Sequence, residues 1–146
     1  MFFVKSVISF YYEQGLSMKF GYTILYVSNV AETLKFYLAA FGIEKKFLHE
    51  GGDYGELATG ETTLAFANYD LAELNIIGFS KSKSQRPCYE MEIALVSENV
   101  EADFIRALSA GAVEVVKPLK KPWGQTVAYV RDLNGFLVEI CSQVGE

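Results

Sequence analysis

Hydrophobic and polar positions along this chain switch between a period of two and a period near 3.6. From Phe20 to Val27 (FGYTILYV) side chains alternate, which predicts a strand. A helical pattern then opens at Asn29, with Glu32 three residues later as a capping box, and Val30, Leu34, Leu38 and Phe41 on one face. Gly42 stops it. Three short β-like stretches follow, at about Glu44–His49, Tyr54–Ala58 and Thr62–Asn68, divided by Gly51-Gly52 and Gly60-Glu61 turns.

After a short helical stretch at Asp70–Asn75 and the polar loop KSKSQRP at 81–87, the pattern restarts. Lys81, Lys83 and Arg86 of that loop read as a solvated linker. Tyr89–Val96 reads as a strand, and Ser97-Glu98 opens a helix carrying Val100, Phe104, Ile105 and Leu108 that Gly111 closes. Strands are expected at about Ala112–Val116, Gln125–Val130 and Phe136–Cys141, the last two joined by an Asn134-Gly135 turn that Arg131 and Asp132 flank in a structural role. Val27-Ser28, Phe36 and Gly42 recur as Val96-Ser97, Ile105 and Gly111, an internal repeat at an offset of 69. The predicted fold class is α+β. Two β-α-β-β-β modules, at about 20–69 and 88–142, form curved mixed sheets with helices on the outer faces and concave faces open to a ligand. Residues 18–146 read as the domain and 1–17 as an N-terminal leader, with Met18 as a candidate native start.

Composition narrows the function classes. The chain has 146 residues, 51% of them hydrophobic, enough for a buried core without a disulfide or structural metal. Cys88 and Cys141 lie far apart with no C-x-x-C partner, as expected of a cytoplasmic protein with reduced thiols. A net charge of −5 disfavours a nucleic-acid partner, and no apolar run is long enough for a spanning helix, so no membrane partner is expected. No P-loop, G-x-S-x-G, H-E-x-x-H or Rossmann motif occurs.

Two segments, YVSNVAETLKFYLAAFGIE at 26–44 and PWGQTVAYVRDLNGFLVEI at 122–140, with the repeat that links them, resemble the vicinal-oxygen-chelate superfamily of glyoxalase I, bleomycin-resistance proteins and extradiol dioxygenases. The resemblance extends from Phe20 to about Ser142. It implies a homodimer and, in metal-using members, His, Glu or Gln ligands at four equivalent strand positions. Carried onto this chain those positions are Tyr22, Ala65, Glu92 and Glu139. Tyr22 stands where a His is usual and Ala65 cannot ligate, so no metal cofactor is expected. A divalent metal such as Ni, Zn, Mn or Fe, held by Glu92 and Glu139 with water or a partner-chain ligand, is the alternative.

Strand parity supports Tyr22, Ala65 and Glu139 without the resemblance. Leu25, Val27, Val138 and Ile140 suit a helix-packed core, which turns Tyr22, Tyr26 and Glu139 to the concave side. Leu64 and Phe66 likewise leave Thr63, Ala65 and Ala67 as a floor of small residues. Parity and the resemblance together give Tyr22, Tyr26, Ala65, Glu92, Trp123, Tyr129 and Glu139 as the expected ligand-binding residues, Glu92 from the family positions and Trp123 from its likeness to the aromatic at the cavity mouth of related binding proteins, with Tyr54 as a further lining residue. Two mid-strand carboxylates favour a neutral or cationic small molecule bound without bond breaking. The alternative function is a metal-dependent lyase or isomerase of the glyoxalase I type, in which Glu139 and Glu92 are catalytic. His49, the one histidine, reads as a surface residue, and the cysteines as small buried thiols.

Overall fold

The computed structural model of the protein describes residues 18, 20–79 and 91–144. The leader at 1–17, the loop at 81–87, Cys88 and Tyr89 lie outside the described residues. In the first module, β1 (Tyr22–Val27) leads into α1 (Val30–Phe41), followed by β2 (Lys45–Leu48), β3 (Tyr54–Leu57) and β4 (Thr63–Asn68). A short helix α2 (Tyr69–Asn75) ends it. The second module repeats the order as β5 (Ile93–Val96), α3 (Val100–Ser109), β6 (Val113–Lys120), β7 (Thr126–Arg131) and β8 (Leu137–Cys141). The sheets run β1-β4-β3-β2 and β5-β8-β7-β6. In each, the first and last strands of the module pair in parallel and the rest are antiparallel.

Both long helices begin at an asparagine. The Asn29 side chain accepts the backbone N–H of Glu32 at 3.0 Å, and Asn99 accepts that of Ala102 at 3.0 Å, each satisfying an amide the helix start leaves free. The second helix thus starts later than Ser97-Glu98 suggests. Ser97 instead accepts the Asn99 amide and donates to Asp103, bracing the approach to the helix.

These caps correct the repeat. Asn29 and Asn99 are 70 residues apart, and with that offset Val30, Leu34 and Tyr37 meet Val100, Phe104 and Ala107, all buried. The offset of 69 pairs buried Val27 with Val96, which is 70% exposed, and buried Phe36 with Ile105, which is 63% exposed. One residue moves a strand position to the other face and turns a helical one by about 100°, so the count matters. Leu38, placed on the core face by spacing, is 48% exposed, because Thr33, Tyr37 and Ala40 carry the buried stripe instead.

The core joins both modules. Leu25, Val27, Leu64 and Phe66 pack under α1, and Val130, Val138 and Ile140 under α3, in one continuous cluster. Polar contacts fasten the two halves. The Arg106 guanidinium donates to the Ala39 and Leu38 carbonyls at the end of α1, at 3.0 and 3.2 Å, the latter an acceptor it shares with the Gly42 amide. From the β7–β8 turn, Asn134 Nδ2 donates to Thr33 Oγ1 at 3.0 Å. That turn carries its left-handed residue at Gly135 (φ 86°) alone, and Asn134 keeps a negative φ, so it is not the two-residue hairpin expected of Asn-Gly.

Gly55 in β3 faces α1. A β-carbon built there lies 2.7 Å from Leu34 Cδ1 and 3.0 Å from Val30 Cγ1. Gly55→Ala is therefore expected to push the sheet off the helix and cost about 1–3 kcal/mol by overpacking, read as a lower urea midpoint at unchanged m-value.

Candidate functional site

The faces of the sheets turned away from the helices carry the sequence-predicted residues. Register makes the equivalences explicit: Ile24 pairs with Ala65 in the first sheet, and Ala94, 70 residues after Ile24, pairs with Glu139 in the second. Ala65 and Glu139 are thus counterparts, as are Tyr22 and Glu92 at the starts of their edges. Antiparallel pairing extends the comparison, setting Glu56 beside Ala65 and Tyr129 beside Glu139.

Glu92 departs from its expected place. It lies just before β5 and is exposed, where the sequence pattern puts it mid-strand. The reason is pairing: β5 bonds only to β8, their first partners are Ile93 and Val138, and β8 itself begins at Leu137 after the Gly135 turn. Even so, the Glu92 carboxyl meets Glu139. Burial of the group, then a hydrogen bond with Glu139, then the charge of Glu139 raise its pKa above the usual glutamate value. Glu92 also lines a cleft of about 720 Å³ between the modules, bounded by Thr23, Thr59 and Thr63 on one side and Met91 and Ala94 on the other.

Glu139 is the acceptor at the centre of this group. It takes the Tyr129 hydroxyl at 3.0 Å across the β7–β8 pair. Burial, the bond to Glu139 and the charges of Glu139 and Glu92 push the Tyr129 phenol up to about 12, so it stays a donor at neutral pH. Burial and the same carboxylates raise Cys141, whose thiol is 4% exposed and kept protonated, an unreactive state for a cysteine. The structure therefore brings Glu92, Glu139 and Tyr129 together and adds Cys141.

The first sheet carries a second polar group, which the sequence reading did not find. Glu56 accepts the Tyr54 hydroxyl at 3.0 Å and pairs with Lys46 Nζ at 3.1 Å, its side chain only 14% exposed. Burial, then the bond and charge of Glu56, then Tyr22 hold the Tyr54 phenol at about 12. Period-two alternation puts Tyr54 and Glu56 on one face and signals this pair. The Lys46 partner comes from β2 across an irregular register that no spacing rule predicts.

Other expected residues fall elsewhere. Ala65 is fully buried between Ile24 and Glu56 in register, since a methyl group is overtopped by longer neighbours. Tyr26 is half-buried with its ring edge against Phe79 at 5.2 Å. Tyr22 is 57% exposed. Trp123, 62% exposed, lies in the turn before β7, where its indole N–H is taken by Gln125 at 2.9 Å. His49 lies on the surface with Nδ1 2.6 Å from Asp53.

The donor set does not fit a resident divalent metal. Tyr22 and Ala65 supply no ordinary ligand, and among the described residues no three His, Cys, Asp or Glu side chains are grouped to hold an ion. No helix among the described residues is long and apolar enough to cross a membrane.

Two parallel-edged four-stranded sheets, each backed by one long helix and related by the 70-residue repeat, define a vicinal-oxygen-chelate architecture. The family model of the glyoxalase-like domain matches residues 20–145, and the chain belongs to that family. Solved structures share the fold. A hypothetical protein, SA1046, from S. aureus is 20% identical with a TM-score of 0.73, covering 91% of this chain and 99% of its own. A glyoxalase-related enzyme from Fulvimarina pelagi is 19% identical with a TM-score of 0.72, over 88% and 89% of the two chains. A glyoxalase/bleomycin resistance protein/dioxygenase family enzyme from Burkholderia phytofirmans PsJN is 18% identical with a TM-score of 0.71, over 86% and 98%. No curated protein matches the sequence.

Proposed function

We propose that this glyoxalase-like domain binds a small neutral or cationic molecule on the concave face of its second sheet, without a complete metal site. The observation that carries the reading is the Glu139 carboxylate, fixed by Tyr129 and beside Glu92, which itself lines the inter-module cleft. Two carboxyl groups that must share hydrogen bonds are relieved when a cation or strong donor sits between them. Exposed Tyr22 and Trp123 offer apolar surface for the remainder of such a molecule.

Hexylamine, followed by isothermal titration calorimetry, is a direct probe. Glu139→Gln is expected to weaken it by about tenfold or more, since the charged partner of the ammonium is lost. Unchanged affinity would remove the charge argument. The amine competes with the proton on Glu92, so affinity falls as pH is lowered through the raised Glu92 pKa, beginning above the usual glutamate range. Titration with Ni²⁺, Zn²⁺ and Mn²⁺ tests the other half of the reading, and tight binding of one ion per site overturns it.

The reading includes a homodimer. Val96 (70% exposed) on the edge strand β5 and Val113, Val116 and Leu119 on the edge strand β6 are apolar surface that a second copy would cover. Light scattering is expected to give twice the 16.3 kDa chain mass.

A further inference from the structure

Arg131 closes β7, two residues beyond Tyr129. Alternation along β7 buries Ala128 and Val130 in the core and sets Val127, Tyr129 and Arg131 on the opposite face. Arg131 therefore shares the face of Glu139 and pairs in register with Leu137, at the end of the sheet where Glu92 enters. Turn flanks are ordinarily solvated, and an arginine there would extend into water. This one does not: the side chain is half-buried, and its Nε is shielded from solvent with no hydrogen-bond partner.

The nearby acids do not account for it. Asp132 is occupied by the Tyr37 hydroxyl and the Asn134 and Phe136 amides, and Arg131 is in none of the ion pairs of the described residues. Glu92 is pushed up by burial and Glu139 with no opposing pull from a cation. A permanently charged guanidinium thus holds a buried donor unpaired on the face that carries two carboxyl groups. With Nε shielded, the two Nη groups are the open edge of the guanidinium, and they form a planar fork that matches the two oxygens of a carboxylate.

We propose that Arg131 is the anion-recognising end of this face, so that the ligand is a small amphoteric molecule with a carboxylate at Arg131 and an amine or comparable donor at Glu92 and Glu139. The proposal rests on the function proposed above and narrows its ligand class. Same-face residues along a strand are about 7 Å apart and neighbouring strands about 5 Å, so the two ends lie roughly 8–10 Å apart at the backbone. A carboxylate and an amine joined by a short aliphatic or aromatic spacer span that interval.

The test compares 6-aminohexanoate, hexylamine and hexanoate by calorimetry in chloride buffer. The native chain is expected to bind 6-aminohexanoate about tenfold tighter than hexylamine, and Arg131→Gln to reduce that preference to within about twofold. Arg131→Lys, which keeps the charge without the fork, should retain only part of it and serves if the glutamine variant does not fold. Equal affinities in the native chain, or a preference that survives in both variants, overturn the assignment of Arg131. Hexylamine affinity that ignores Glu139→Gln instead overturns the function proposed above, and failure of all three probes to bind overturns both.

Discussion

Asp132→Ala is expected to lower folding stability by about 3–5 kcal/mol, the range for removing one member of a buried charged, hydrogen-bonded group. Asp132 is 3% exposed. Its Oδ2 accepts the Tyr37 hydroxyl at 2.8 Å, and its Oδ1 accepts the Asn134 and Phe136 amides at 2.8 and 2.9 Å. Alanine strands three donors at once. The Tyr37 hydroxyl suffers most, because the residue is fully buried and its pKa is raised well above the ordinary value by burial and by Asp132, so it keeps its proton and needs an acceptor for it. This contact also spans the modules, so its loss should loosen α1 from the β7–β8 turn as well as the turn itself.

Asp132→Asn keeps an acceptor for the turn and should cost much less. Tyr37→Phe removes the donor, and the double variant with Asp132→Ala should lose less than the sum of the two, with a coupling of about 0.5–3 kcal/mol. Equilibrium urea unfolding measures all four chains, and strict additivity would show that the two groups act independently. Burial, outweighing the donors, holds the Asp132 pKa above that of an ordinary aspartate. The folded pKa thus exceeds the unfolded one. Its contribution to stability is fully present below the unfolded pKa and declines as pH rises through the folded value, a slope that Asp132→Asn removes.

Phe66→Ala is expected to cost about 3–5 kcal/mol through lost burial and the cavity left behind. Phe66 is fully buried at the middle of β4, and its ring lies 4.9 Å from that of Tyr37. It pairs in register with Gly55, whose missing side chain lets Leu34 and Val30 of α1 come down onto the sheet. The cavity would open between rigid elements that cannot easily collapse. Phe66→Leu, which refills most of it, should cost clearly less, and thermal unfolding of the pair separates volume from aromatic contact. Equal losses for the two variants would show that the ring contact with Tyr37, rather than volume, matters at this site.

Much of the architecture was legible locally. Leu25, Val27, Val138 and Ile140 are buried where alternation puts them, and Asn29 caps the helix it was expected to cap. Such features depend on the 2.0 and 3.6 periods and on amide groups within a few residues. The candidate site was legible in part by the same means. Parity turns Glu139 to the concave face, Tyr129 is among the expected lining residues, and the structure joins their side chains.

What spacing misjudged lay in count and partnership. The true repeat of 70 emerges only when the second helix is seen to begin at Asn99, one residue beyond where matching Val27-Ser28 to Val96-Ser97 implies. Glu92 fell outside its strand because β8, distant in sequence, sets how far β5 can pair. Lys46 finds Glu56 across two strands, and Arg106 finds the end of α1 from 67 and 68 residues away.

Arg131 and Asp132 show the division most clearly. By sequence they are alike, two charged residues beside a turn. Their environments separate them: Asp132 is buried and satisfied by Tyr37 from the other module, while Arg131, on the face of Glu139, keeps its Nε without a partner. Sequence alone determined the order of elements, the faces of the strands and the family of the fold, because hydrophobic period and capping are short-range. Tertiary structure decided which charges are paired and which are left without a partner, because burial and Coulomb interaction depend on neighbours in space, whatever their separation along the chain.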